Sequence, residues 1–338
     1  MLSEKLKPKI YKLIISLAAL IVIILLLEAG MRVYFFINPQ RIDNGSDISA
    51  ELGWANESNF YDKGIVKGYG EVEFSITKFG FRVFGDTDTT KTKIFVIGDS
   101  YTLARMVSDG STYYDYLKKN SENVEMFAYA TGGYGSLQEY MIIDKYYDLI
   151  RPDMILWQFC GNDFIDNEPE LEAVSVYNDF MVRPYYIDNK IQYLFSVRAA
   201  KWKCELIRRS YLLKFLQIKL NVLMARPGKN FILTEHPAFQ KSIVTTSKIL
   251  GLLRKRVGNI PIILFSTDTA YADIIADICA THNIHFIRGV PEAIERAKNG
   301  GTMVDGTPYD VYHWNAAGHA IVGRAILDYL IKEKFLPQ

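Results

Sequence analysis

Two short clusters hold residue types that can perform nucleophilic catalysis. Ser100 follows the apolar run Ile94-Phe95-Val96-Ile97 through Gly98-Asp99 and leads into Tyr101-Thr102. Far downstream, Asp310-Val311-Tyr312-His313 precedes Trp314-Asn315-Ala316-Ala317-Gly318-His319. A serine hydroxyl is a weak nucleophile until a base takes its proton. An imidazole titrates near neutrality and can take that proton, then return it to a leaving group. An aspartate three residues earlier, brought into the same cleft by a turn, can hold the ring tautomer. The expected roles are therefore Ser100 as nucleophile, His313 as base and Asp310 as its orienting acid. The chemistry would be attack on an acyl carbonyl.

Attack generates an oxyanion, which needs donors. Two segments can supply them. Thr131-Gly132-Gly133-Tyr134-Gly135 offers backbone N–H groups where the absence of a Cβ permits close approach. Gly161-Asn162-Asp163 offers the Asn162 side-chain amide. The glycine run lacks the Lys-Ser/Thr ending and the Gly-x-Gly-x-x-Gly spacing of phosphate loops, so no nucleotide site is expected. Asp99 and Asp163 suit bonding to loop amides, and His319 suits packing on the following helix. His282 and His285 straddle a turn without a third ligand in view, so no metal is expected. Cys160, Cys204 and Cys279 have neither zinc spacing nor a disulfide framework.

The elements that must position these groups alternate. Short apolar runs at 93–97, 124–130, 154–159, 261–265 and 284–287 read as strands. Helical stretches at 112–119, 137–150, 238–256, 269–281 and 315–334 lie between and after them. Strands too apolar to keep a wet face, alternating with helices, indicate an α/β domain with a parallel sheet of about five strands covered on both faces. In such a sheet ligands bind beyond the carboxyl ends of the strands, where the Ser100, Gly133 and Asn162 segments fall.

The N-terminus reads differently. Lys5, Lys7, Lys9 and Lys12 precede an uncharged apolar run at 13–27. Those fifteen residues span only about 22 Å as a helix, against roughly 30 Å of hydrocarbon, so the span continues past Glu28 and Arg32 towards Ile37. Glu28 and Arg32 are spaced to pair on one helix face, and Leu27-Glu28-Ala29 is a poor cleavage site. The expectation is an uncleaved transmembrane helix within 1–37. The lysines place its N-terminus in the cytoplasm and the remainder in the periplasm or outside the cell. Residues 38–92 read as a spacer with a small β element, and 93–338 as the catalytic domain. An insertion at about 164–236 opens with a hairpin, Arg183–Ile187 and 191–195, turning at Asp188-Asn189-Lys190. It continues as a basic helix at 196–225, read as an ordinary solvated face in preference to one that meets anionic lipid or polysaccharide. A net charge of +1 and 49% hydrophobic residues exclude a disordered chain and a nucleic-acid binder.

The blocks Gly98-Asp99-Ser100, Gly133, Gly161-Asn162-Asp163 and Asp310-x-x-His313 resemble, in order, those of the SGNH/GDSL hydrolases over about 93–334. The resemblance implies a three-layer, flavodoxin-like fold. It also implies an oxyanion hole of the Ser100 N–H, the Gly133 N–H and the Asn162 side chain. Ala128 stands where the family often carries Asn, so Gly132 could replace Gly133, and Tyr101 stands where the family name implies Leu. Glu51-Leu52-Gly53-Trp54, Gly80-Phe81-Arg82 and Arg183-Pro184-Tyr185-Tyr186 look like the membrane-anchored bacterial branch, many of whose members are linked with cell-envelope polysaccharide. The implied activity is a serine esterase without cofactor, acting on an acylated carbohydrate or lipid. A polysaccharide O-acyltransferase using the same triad is the alternative, and a non-catalytic envelope assembly or carbohydrate-binding subunit a further one.

Overall fold

The computed structural model describes residues 7–37, 46–175, 183–194, 206, 209–224, 233–306 and 310–336. The chain divides into two compact units, Met1–Gln40 with Arg198–Met224, and Arg41–Val197 with Ala225–Gln338.

The larger unit starts with two antiparallel pairs, β1 (Ser46–Ser49) with β2 (Gly53–Asn56) and β3 (Phe60–Val66) with β4 (Gly70–Ile76). Next come β5 (Val83–Phe84), β6 (Thr92–Gly98), β7 (Val124–Ala130) and β8 (Met154–Phe159). A hairpin of β9 (Pro184–Ile187) and β10 (Lys190–Tyr193) precedes β11 (Ile262–Ser266) and β12 (His285–Ile287). The last pair is β13 (Asp305–Gly306) with β14 (Asp310–Trp314).

The central sheet runs β12-β11-β8-β6-β7-β5. Its five long-range pairings are parallel except for β5, which joins β7 antiparallel. The strands are apolar on both sides because both sides are covered. Phe95, Ile97, Phe127, Tyr129, Ile155 and Trp157 face the helices Ser136–Ile150 and Pro237–Val257. Ile94, Val96, Met126, Ala128 and Leu156 face the helices Tyr113–Asn120 and Ala316–Lys332. This two-residue alternation is the strand period, and it yields three layers, helix on sheet on helix.

The order sets the site. The chain passes from β6 to β7 on one side, then crosses to β8 on the other, so the topological switch lies at the carboxyl end of β6. Gly98 is level with Ala130, and Ile97 with Trp157. The segments after β6, β7 and β8 therefore emerge side by side.

The sheet has a sixth strand, drawn from the stretch read as a spacer. Residues 46–84 pack into the larger unit: Phe81 is fully buried against the rings of Phe95, Tyr129 and Tyr146, and it pulls Val83–Phe84 onto the sheet edge. Two residues are too short a strand to show as a period in sequence. The β9–β10 hairpin turns where expected, with Asp188 and Asn189 at φ 51° and 59°.

The smaller unit holds the helices Lys7–Ile37 and Tyr211–Met224. The insertion is thus split, its helical part clustering with the N-terminal helix instead of with the 93–338 domain. Most of 195–208, including the basic residues Arg198, Lys201, Lys203 and Arg208, lies outside the described residues.

Candidate active site

Ser100 opens a short helix (Ser100–Leu103) directly after β6. Gly98 is required there, since a Cβ would lie 2.3 Å from Thr102 Oγ1 and 2.4 Å from Gln158 Oε1. Gln158, buried on β8, accepts from the Asp99 N–H (3.1 Å) and the Thr102 hydroxyl (2.8 Å). Asp99 accepts from the Tyr101 N–H (3.0 Å) and caps the helix. Burial raises the Asp99 carboxyl, offset by that N–H and by His313, Gln158 and Asn162. Arg82 closes the other end: its guanidinium donates to the carbonyls of Leu103 (3.0 Å) and Ala104 (3.4 Å) and pairs with Asp109 at 2.9 Å.

The structure brings the first and last blocks together. His313 Nε2 lies 2.9 Å from Ser100 Oγ, so an unprotonated Nε2 is placed to receive the serine proton. Asp310 begins β14, three residues before His313 on the same strand. Its side chain lies outside the described residues.

Two tyrosines hold the strand that carries His313. The Tyr101 hydroxyl donates to the Tyr312 carbonyl (2.6 Å), and its ring packs 5.0 Å from the imidazole and 4.7 Å from the Trp314 ring. Burial, then the neighbouring Cys160 and carboxylates, push this phenol above its usual range, so it remains a donor. Tyr69, in the β3–β4 turn, donates to the His313 carbonyl (3.2 Å). Its ring fills the space over Gly306, where a Cβ would lie 2.0 Å from Tyr69 Cε2. Sequence reasoning missed Tyr69. The available signal was Gly68-Tyr69-Gly70, whose glycines adopt φ 89° and 87°.

The loop after β7 is a turn closed by the Tyr134 N–H on the Thr131 carbonyl (3.2 Å), with Gly133 at φ 74°. A Cβ on Gly132 would lie 3.8 Å from the Ser100 Cβ, so the loop runs beside the serine. The carbonyls of Gly132 and Gly133 are both tied back. The Trp54 indole donates to Gly132 (3.0 Å), and Arg183 donates to Gly133 (2.7 Å). In a planar trans peptide the N–H opposes the carbonyl, so the Gly133 N–H points away from Trp54. Arg183 is itself buried, 5.1 Å over the Trp54 ring, bonded to Gln138 (3.2 Å) and paired with Asp166 and Glu172 (both 3.1 Å). Neither Trp54 nor Arg183 was expected at the site. Asn162 follows β8 and donates to Asp166 Oδ2 (3.0 Å), which leaves its second amide proton for Asp99 or for an oxyanion.

Asp163 bonds loop groups, accepting from the Cys160 N–H (2.8 Å) and the Ser136 hydroxyl (3.1 Å). Burial and then the charge of Asp99 push its carboxyl well up, and burial and Asp163 do the same to Glu139, which accepts from the Trp157 indole. His319 is buried, accepts from the Tyr113 N–H (3.3 Å), and is lowered by burial to about 3, so its ring is neutral. His282 bonds Ser247 (2.9 Å) and His285 packs on Phe335. Among the described residues there is no group of three or more His, Cys, Asp or Glu that could hold a metal ion.

No family model matches the chain, and no curated protein matches it in sequence. Solved structures do resemble it. A member of the lipolytic G-D-S-L family from Veillonella parvula is 14% identical, with 70% of this chain and 96% of that one covered and a TM-score of 0.40. A lipase/acylhydrolase from Enterococcus faecalis is 13% identical, with 71% and 96% covered and a TM-score of 0.41. A catalytic mutant of an acetylxylan esterase from Geobacillus stearothermophilus is 14% identical, with 72% and 95% covered and a TM-score of 0.39.

Proposed function

We propose that the protein is a serine ester hydrolase working through an acyl-enzyme on Ser100. The observation that carries this is the 2.9 Å contact between His313 Nε2 and Ser100 Oγ at the switch point of the sheet. Ser100 Oγ attacks the ester carbonyl as its proton passes to His313. The tetrahedral oxyanion accepts from the N–H groups of Ser100 and Gly133 and from the Asn162 amide. Collapse expels the alkoxide, which takes the proton from His313. His313 then deprotonates water, which attacks the acyl-enzyme, releases the acid and restores Ser100. Asp310 holds the imidazole tautomer. No step calls for a metal or organic cofactor.

The substrate in this reading is an acetyl or other acyl ester on an envelope carbohydrate or lipid. It is supported by the helix at Lys9–Tyr34, which is long and apolar enough to cross a membrane. With Lys5, Lys7, Lys9 and Lys12 on the cytoplasmic side, that helix holds the larger unit in the periplasm or outside the cell.

The test is hydrolysis of p-nitrophenyl acetate by the full chain in detergent, beside Ser100→Ala and His313→Ala. Turnover lost in both variants is expected; turnover unchanged in Ser100→Ala would end the esterase reading. Adding an envelope polysaccharide distinguishes the transferase: acyl groups moved to sugar in preference to water would replace hydrolysis by O-acyl transfer. Protease added to spheroplasts, whose outer layers are opened and whose inner membrane is sealed, should reach the larger unit, and protection there would overturn the topology.

A further inference from the structure

The smaller unit contains a second apolar helix whose surface is ill suited to water. In Tyr211–Met224 only Lys214, Gln217, Lys219 and Asn221 are polar. Positions 214, 217 and 221 recur at helical spacing on one side, which leaves a broad arc that is apolar except for Lys219. Along that arc Phe215, Leu216, Leu220 and Leu223 are 41%, 43%, 53% and 76% exposed. The long helix beside it is also bare, with Leu13 to Leu27 exposing their large side chains to a similar degree.

The two helices meet around Glu28. Glu28 accepts from the Ser210 hydroxyl (2.7 Å) and from the N–H groups of Tyr211 (3.3 Å) and Leu212 (3.0 Å). Ser210 Oγ accepts from the Leu213 N–H (3.1 Å). Arg32 pairs with Glu28 (2.8 Å), donates to the Arg209 carbonyl (2.8 Å) and lies 5.6 Å over the Tyr211 ring. The opening N–H groups of the second helix are thus satisfied by protein instead of by water. That arrangement lets this helix end approach the bilayer without relying on water for its N–H groups.

We propose that Tyr211–Met224 is a second lipid-contacting element, lying in the membrane interface beside the end of the span that carries Glu28. This rests on the reading of Lys9–Tyr34 as a membrane span. Fourteen residues reach about 21 Å, short of the roughly 30 Å hydrocarbon core, so the helix does not cross. An interfacial helix buries its apolar arc among acyl chains and keeps lysines at the headgroups. Lys219, whose ammonium lies 5.5 Å from the Phe215 ring centroid, can extend to a lipid phosphate from there. The occupant of both bare surfaces is then the same bilayer, continuous across the Glu28 junction. The insertion acquires a purpose too: the chain enters the membrane unit at its N-terminus and again between Val197 and Ala225.

The test uses the full chain in phosphatidylglycerol-containing vesicles, a bilayer-partitioning aryl diazirine and peptide mapping of the label. Labelling is expected in the peptides bearing residues 13–27 and 211–224, and not in that bearing Ile65, an 84% exposed residue of β3. Label at 13–27 without label at 211–224 overturns this inference and leaves the span intact. Absence of label at 13–27 overturns both. Glu28→Ala should lower labelling at 211–224 about fivefold, the usual size of a lost cap, while 13–27 stays labelled; equal labelling of both in that variant would overturn the role of the Glu28 junction.

Discussion

Arg183 offers the sharpest test of how the site is held. Its guanidinium lies in the protein interior, with a side chain 2% exposed, between Asp166 and Glu172, which are 9% and 1% exposed. Arg183→Met would remove the cation and leave both carboxylates buried beside an apolar group. Breaking a buried pair in this way costs about 3–5 kcal/mol. For a unit of this size that is a fall in melting temperature of roughly 6–20 °C. Arg183→Lys keeps the charge but loses the planar fork that reaches Gly133, Gln138, Asp166 and Glu172 at once. Its cost should be smaller, about 1–3 kcal/mol for one or two charged hydrogen bonds. Because the Gly133 carbonyl is among the lost partners, its kcat on p-nitrophenyl acetate should fall about tenfold at temperatures where the variant is folded. The companion Arg183→Met/Glu172→Gln should recover part of the stability, since it removes one of the two carboxylate charges that the guanidinium faced. Differential scanning calorimetry and steady-state kinetics read both effects. If Arg183→Met melts with the parent chain, the guanidinium is not holding the carboxylates. If Arg183→Lys loses stability but keeps its full kcat, the tie to Gly133 does not shape the oxyanion loop.

Tyr69→Phe removes one hydrogen bond to the His313 carbonyl, so kcat should fall about fivefold, equivalent to about 1 kcal/mol, with KM unchanged; identical kcat values would refute the clamp. Gly98→Ala drives a Cβ into Thr102 and Gln158 and should cost about 1–3 kcal/mol by overpacking, seen as a lower denaturation midpoint together with reduced turnover. His319 is neutral in the fold at a value of about 3, against an ordinary 6.5. Its contribution to stability is therefore full above pH 6.5 and is lost as pH falls from there towards 3, about 2 kcal/mol by pH 5. His319→Gln should lose correspondingly less stability between pH 8 and pH 5 in urea titrations, and parallel losses in the two proteins would exclude a buried neutral histidine.

Much of the fold could be read from residue order because the governing interactions are local. The apolar runs at 93–97, 124–130, 154–159 and 261–265 correspond to β6, β7, β8 and β11, since a strand buried on both faces shows as an unbroken apolar segment. The hairpin at Asp188-Asn189 was legible from turn chemistry. The edge strand Val83–Phe84 was not, because two residues carry no period and its place depends on Phe81 finding the aromatic cluster of the sheet.

The site divides in the same way. Ser100 and His313 stood out by type and spacing, and residues 131–135 and 161–163 by their place after strands, because a parallel sheet sends the segments after its central strands to one edge; the choice of Gly133 and Asn162 within them came from the family resemblance. Residue order also marked the apolar N-terminal run and the acid and base, Glu28 and Arg32, that end it. Tertiary structure alone decided that His313 Nε2 meets Ser100 Oγ at 2.9 Å. It alone brought Tyr69, Trp54 and Arg183 from separate hairpins and loops to hold the His313 strand and the glycine turn. It alone set Glu28 at the start of a helix far along the chain. Hydrophobic period and turn residues act over a few positions, whereas these contacts join groups that meet only once the layers have packed.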